Sequence, residues 1–178
     1  LVAHPFDLQM LGYYELDMIR RDVGGLLLPC LPWRNHPAIA RLKEWIGDSA
    51  PLGRLEQATL ERRTPHRDRL GVLGQFARDV DLLRVICGEL NKVAGQAPAD
   101  KATRFANLSV TLSGPGDVQV RWSVEPGATP WARLTLRGTK GKAVLTIAPE
   151  GEPWQLEQNT GRPAEPGTPT GEAFPAWD

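Results

Sequence analysis

At 178 residues the chain is long enough for one domain with a substantial core, or for one domain plus part of another. Lys and Arg together number 21, as do Asp and Glu, so the formal net charge is zero. That balance removes any bulk electrostatic case for nucleic acid or an anionic membrane as a partner.

Residues 1–31 read as the end of an α/β layer. Leu1-Val2 forms a short strand and Pro5 a turn, Asp7 caps a helix carrying Leu8, Leu11, Leu16 and Ile19, and Gly24-Gly25 stops it. The apolar run from Leu26 to Leu31 is continuous, as in a strand buried on both faces of a parallel sheet, and it is far too short to span a bilayer. A lone βαβ unit leaves sheet edges open and its helix uncovered, so this remnant predicts a larger Rossmann-type sheet lying upstream of Leu1. Cys30 and Cys87, with neither CxxC nor metal-ligand spacing between them, read as buried free thiols in a reducing compartment, which makes the cytoplasm the expected location.

A loop, Pro32-Trp33-Arg34-Asn35-His36, leads to a helix starting near Pro37, with Ile39, Leu42, Trp45 and Ile46 as its apolar stripe. Residues 52–63 read as a strand bearing many charges, followed by a polar loop containing His66. The stretch Gly71 to Gly88 organises the rest. Leu73, Phe76, Ala77, Val80, Leu83 and Cys87 recur every three or four residues and predict one helix stripe, with Arg78, Asp79, Asp81 and Arg84 off it as surface charges.

After Gly88 the period changes from helix to strand. A short strand at 90–94 precedes four segments in which apolar residues alternate with polar ones: Ala106 to Leu112, Val118 to Val124, Ala132 to Leu136 and Ala143 to Ile147. A fifth segment carries Trp154 and Leu156. Short turns, including the Gly138-Thr139-Lys140-Gly141 hairpin, argue for antiparallel neighbours. The predicted architecture is α+β: an antiparallel meander covered on one face by helices, with residues 1–31 as the Rossmann-type remnant, residues 32–178 as a second domain, and an irregular tail from about 159.

The α/β ending, the WRNHPAIARLKEWI loop-helix, the DVDLLRVICG helix and the meander with its GTKG hairpin together resemble the Gfo/Idh/MocA family of NAD(P)-dependent oxidoreductases. The resemblance covers nearly all of the chain but only the end of that family's nucleotide domain and most of its C-terminal domain; the glycine-rich dinucleotide fingerprint is absent, which fits an upstream segment. It implies NAD or NADP as cofactor, a sugar, polyol or related hydroxy compound as substrate, and a homodimer or higher oligomer formed through the sheet face bearing Gln119, Arg121, Arg133, Thr135 and Arg137.

The resemblance also implies site residues, and this chain departs from the family at each. Where the family has the lysine of a Glu-Lys-Pro motif beside the nicotinamide, the positions here are Ala3-His4-Pro5; where its central helix carries an Asp and a His four apart, this chain has Gly74 and Arg78. Removal of hydride from an alcohol needs a group to take the hydroxyl proton. Arg78 stays protonated and is no base, but it suits an anionic substrate group or a developing alkoxide. His4 titrates in the range a general base needs and equally reads as a polar cap at a strand end. Trp33 and Arg34 stand where the family lines the cofactor and substrate cleft, though Trp33 also reads as packing and Arg34 as an ion-pair partner; His66 overhangs the cleft or is solvated, Asp79 orients Arg78 or is a surface charge, and His36 reads as a helix start. Two functional expectations follow: the substrate-binding part of a nicotinamide-dependent oxidoreductase, inactive as a fragment, or a relative without chemistry that serves as a binding or scaffold module.

Overall fold

A computed structural model describes residues 18–24, 32–100, 103–149, 151–159 and 171–176. The expected Leu1-Val2 and Leu26 to Leu31 strands, and His4 with them, lie outside the described residues; of the first helix only 18–23 are described, and they are helical.

Alternation of apolar and polar residues builds an eight-stranded sheet. Its strands are β1 (Leu55–Thr64), β2 (Lys92–Gln96), β3 (Ser109–Ser113), β4 (Gln119–Pro126), β5 (Trp131–Gly138), β6 (Lys142–Ile147), β7 (Trp154–Asn159) and β8 (Gly171–Phe174), in the order β2-β3-β4-β1-β5-β6-β7-β8. One face carries Ala58, Leu60, Val120, Trp122, Leu134, Leu136, Leu145 and Leu156, all buried, and receives two helices, α1 (Pro37–Glu44) and α2 (Arg69–Cys87). The α+β architecture, with a largely antiparallel sheet under helices, is therefore as the periodicity predicts.

Two features of the sheet depart from the expected meander. The first concerns β1, which lies between β4 and β5, parallel to β4 and antiparallel to β5, so these two consecutive strands are not neighbours. Their connection arches over the end of β1, where the Gly127 N–H donates to the Thr64 carbonyl at 3.0 Å. Strand alternation specifies which face a residue takes but not which strand lies beside it, and β1 gains its parallel neighbour β4 only after the chain has passed through α2, β2 and β3. The second is the tail, which carries a real strand: β8 pairs antiparallel with β7, Trp154 opposite Phe174.

The Gly138 to Gly141 hairpin closes as expected, with the Gly138 N–H bonded to the Gly141 carbonyl at 2.9 Å, and it docks on the segment before β1 through Thr139 N–H to the Arg54 carbonyl and Lys140 N–H to the Leu52 carbonyl. Gly53 makes that docking possible: its φ is +71°, and a Cβ there would collide with the Thr139 hydroxyl. Among the described residues no helix is long and apolar enough to cross a membrane.

Candidate functional site

Helix α2 starts at the N-cap Asp68, whose carboxylate accepts the Gly71 N–H at 2.9 Å; that bond holds the Asp68 carboxyl below its ordinary pKa. The buried stripe is Val72, Asp79, Leu82, Leu83 and Ile86, with the partly buried Phe76 meeting Trp122 edge to face at 4.9 Å. Asp79 is thus on the stripe and fully buried, not a surface charge beside Arg78.

A buried carboxylate needs donors, and the sheet supplies them. Arg62, on the core face of β1 and itself buried, reaches Asp79 with Nε and Nη2, both at 2.7 Å, and Trp122 of β4 donates from Nε1 at 2.8 Å. Gln75, one turn earlier on α2, adds a longer contact at 3.4 Å. This fork geometry satisfies both charges where water cannot. Asp79 and Arg62 form the polar bolt between α2 and the sheet.

The same Arg62 guanidinium lies over the ring of Trp33, 5.2 Å from its centroid. Trp33 belongs to a single 3-10 turn, Pro32–Asn35, and meets Trp154 of β7 edge to face at 6.0 Å. Arg34, next in that turn, binds Asp81 of α2 through Nε at 2.8 and 3.0 Å and through Nη2, and this bonding raises its pKa. The expected ion-pair role of Arg34 is what the structure shows, with Asp81 as partner. Two carboxylates of α2, Asp79 through Arg62 and Asp81 directly, therefore hold the turn that carries Trp33 and Arg34.

The remaining candidates separate from this cluster. Arg78 is exposed on α2. His66 is exposed in the turn before α2, its N–H bonded to the Thr64 hydroxyl at 3.2 Å and its ring lying against Gly71. Trp33, Arg34 and Asp79 meet beside α2 through Arg62 and Asp81, but Asp79 faces the sheet and has no opening to solvent, against its expected place at the surface beside Arg78. Burial pushes the Cys87 thiol up to about 12, so it is inert at neutral pH. Among the described residues, a hollow of about 290 Å³ on the sheet is lined by Glu61, Ser109, Ser123 and Trp131 among others, and another of about 520 Å³ by Arg54, Gln57, Asp117 and Arg137 among others. None of the candidate residues lines either.

His36 caps α1 as the sequence suggests, accepting the Ala38 N–H on Nδ1 at 3.1 Å, which places the ring proton on Nε2, 3.3 Å from the Pro175 carbonyl. Its ring is buried and stacks on Trp154 at 3.7 Å. Desolvation lowers its pKa, partly opposed by the bond to Pro175. An imidazole whose folded pKa lies below its unfolded value binds its proton more readily in the unfolded chain. Its contribution to stability is therefore complete above the unfolded pKa of about 6.5 and declines as the pH falls through that value toward the folded one. Urea unfolding at several pH values should show the wild type losing more stability between about pH 7.5 and 5 than His36→Asn, which keeps a cap but does not titrate. Equal losses in the two proteins would refute the role given to His36.

The fold defines a class: an α+β layer with an eight-stranded, largely antiparallel sheet, which is found also in solved oxidoreductase and dehydrogenase structures. The chain is similar to the UDP-N-acetylglucosamine 3-dehydrogenase GnnA from Acidithiobacillus ferrooxidans (TM-score 0.63, 17% identity, 99% of this chain and 55% of that one). It is similar also to KijD10, a 3-ketoreductase from Actinomadura kijaniata solved with NADP and TDP-benzene (TM-score 0.68, 14% identity, 92% and 53%), and to an Agrobacterium radiobacter oxidoreductase solved with NAD+, L-tartaric acid and magnesium (TM-score 0.60, 12% identity, 98% and 53%). The chain thus spans about half the length of these structures. Neither a family model nor a curated protein matches the sequence.

Proposed function

We propose that this chain is the substrate-binding and oligomerisation part of a Gfo/Idh/MocA-type oxidoreductase that uses NAD or NADP to oxidise or reduce a sugar, polyol or related hydroxy compound in the cytoplasm. The single observation that supports this reading is the similarity of nearly the whole chain to about half of several oxidoreductases, two of them solved with NAD+ or NADP. The described residues include no glycine-rich phosphate loop after a strand, so the dinucleotide would be held mainly by a domain preceding residue 32, with His4, Trp33 and Arg34 as this chain's contribution. When bound, the nicotinamide supplies or accepts the hydride.

The chain's own residues would then do the following. His4 takes or returns the hydroxyl proton, since Arg78, at the position of the family's acid/base histidine, stays charged. Trp33 and Arg34, fixed by α2, wall the cleft, and Arg78 and His66 flank it. Asp79 shapes the cleft only indirectly, because its carboxylate is committed to Arg62 and Trp122. The open sheet face, with Arg121, Arg133 and Arg137 exposed, is the candidate surface for a second copy.

A specific observation favours the second reading, a scaffold module without chemistry: Gly74 and Arg78 replace both residues that the family's helix uses. Turnover assays of the full-length protein with both dinucleotides and a panel of sugars, polyols and hydroxy acids separate the two. The oxidoreductase reading predicts turnover with at least one panel member and a loss on the order of a hundredfold in His4→Ala, as for removal of a general base. Turnover undiminished in that variant removes His4 from the mechanism; absence of both turnover and dinucleotide binding favours the scaffold.

A further inference from the structure

We propose that the hollow of about 520 Å³ at the start of β1 binds a small zwitterion, a carboxylate and an ammonium joined as in a free α-amino acid, with Arg54 and Arg137 taking the carboxylate and Glu56 and Asp117 the ammonium. None of the residues placed at the cleft above lines this hollow, so the proposal goes beyond the oxidoreductase reading and does not depend on it.

The charges in the hollow come in both signs and stay apart. Among the described residues none of these four side chains enters an ion pair, although Arg34, Arg41, Arg62 and Arg63 all do elsewhere. No guanidinium nitrogen of Arg54 or Arg137 therefore comes within 4.0 Å of a Glu56 or Asp117 oxygen, even though all four face one space. A ligand that carries both charges bridges that gap. A simple anion or a simple cation leaves the opposite pair unmet.

The neighbouring strand adds to the demand for an anion. Arg137 stands directly opposite Lys142 of β6, and like charges at opposed strand positions destabilise a sheet. A carboxylate held by Arg137 relieves that repulsion, and the guanidinium offers it a forked pair of donors while keeping its own charge at any working pH.

The backbone fixes the groups in place. The Arg54 N–H donates to the Thr139 hydroxyl at 3.1 Å, and the Arg54 carbonyl accepts the Thr139 N–H at 2.9 Å, so the docked hairpin clamps Arg54 on both sides of its peptide unit. Leu55 pairs with Gly138 and Gln57 with Arg137, which makes Glu56 an extra residue in β1. Such a bulge redirects side chains, and here it takes the chain from a buried Leu55 to Glu56 and Gln57, both exposed and both lining the hollow. Gln57 lies between Gln119 and Arg137 in the register, adding neutral donors and acceptors beside the charges. The hollow sits at the margin of the open sheet face; Arg121 and Arg133, in the central rows of that face, lie outside it.

Calorimetric titration of the full-length protein with each of the standard α-amino acids tests the site, with acetate and methylammonium as single-charge controls. We expect at least one amino acid to bind on the order of tenfold or more tighter than either control, as a second charge-assisted contact provides. The double variants Arg54→Gln with Arg137→Gln, and Glu56→Gln with Asp117→Asn, should each weaken that binding about tenfold or more, whereas Arg133→Gln, on the same face outside the hollow, should leave it unchanged. All these side chains are exposed, and cooperative urea melts of the variants confirm that they fold. Binding by no amino acid, binding no tighter than that of a control, or binding that survives either double variant overturns the proposal. Each of these results stands whether or not the protein binds a dinucleotide or turns over.

Discussion

Replacing Asp79 with alanine should lower the unfolding free energy by about 3–5 kcal/mol, because it strands the buried Arg62 guanidinium and the Trp122 indole N–H without an acceptor. Arg62 does not follow water out easily, since its side chain is only 8% exposed and its guanidinium is wedged beside Trp33. Paired replacement, Arg62→Met with Asp79→Leu, should recover much of the loss, as apolar groups of similar volume often do in place of a buried ion pair. Urea denaturation of the three proteins measures both effects. A loss below about 1 kcal/mol in Asp79→Ala would mean that the pair is solvated and that the helix is held by its apolar contacts alone.

Trp154→Ala should cost a comparable amount, about 3–5 kcal/mol, by opening a cavity under α1. The ring is buried, stacks on His36, takes the edge of Trp33 and stands opposite Phe174 in the β7–β8 register. Its removal should therefore also loosen β8, which is further tied to α1 by Arg41 and Glu172, with Nη2 to Oε1 at 3.0 Å. Denaturant melts give the energy, and limited proteolysis of the C-terminal segment gives the local effect. Trp154→Phe, which keeps a ring for His36, should lose less than half as much. A melt of Trp154→Ala close to wild type would contradict the packing described.

The architecture was legible because it rests on periods. Alternation in residues 106–147 gives the correct buried face for Val110, Leu112, Val120, Trp122, Leu134, Leu145 and Ile147, since a pleated strand buried on one side admits no other reading. Helix α1 and its His36 start were legible for the same local reasons, a cap before Pro37 and a stripe after it. What period alone does not carry is neighbour choice. The insertion of β1 between β4 and β5, and the return of Gly171–Phe174 as β8, depend on long-range pairing that no local pattern encodes.

The site was legible in part. Arg34 as an ion-pair partner follows from residue chemistry, but Asp81 as that partner depends on where the 3-10 turn meets α2. Asp79 departs from the expected surface position because a charge marks the solvent side of a helix only where no buried partner such as Arg62 neutralises it. The signal that corrects it was present: spacing by Val72, Phe76, Asp79, Leu83 and Ile86 fits a helix stripe as well as the neighbouring set, and Arg62 falls in phase with Ala58 and Leu60 on β1. An acid on a helix stripe and a base on a strand's core face are complementary, and that coincidence identifies the Asp79–Arg62 pair from sequence. Arg78, one position away, then points outward, and it is exposed.

The most direct test of the central claim, that this chain is the substrate half of a nicotinamide-dependent enzyme, is a fluorescence titration of the full-length protein with NADH and NADPH. The account predicts saturable binding of at least one of the two, weakened in Arg34→Ala. Flat titrations with both, on protein shown to be folded by its cooperative urea melt, would contradict it.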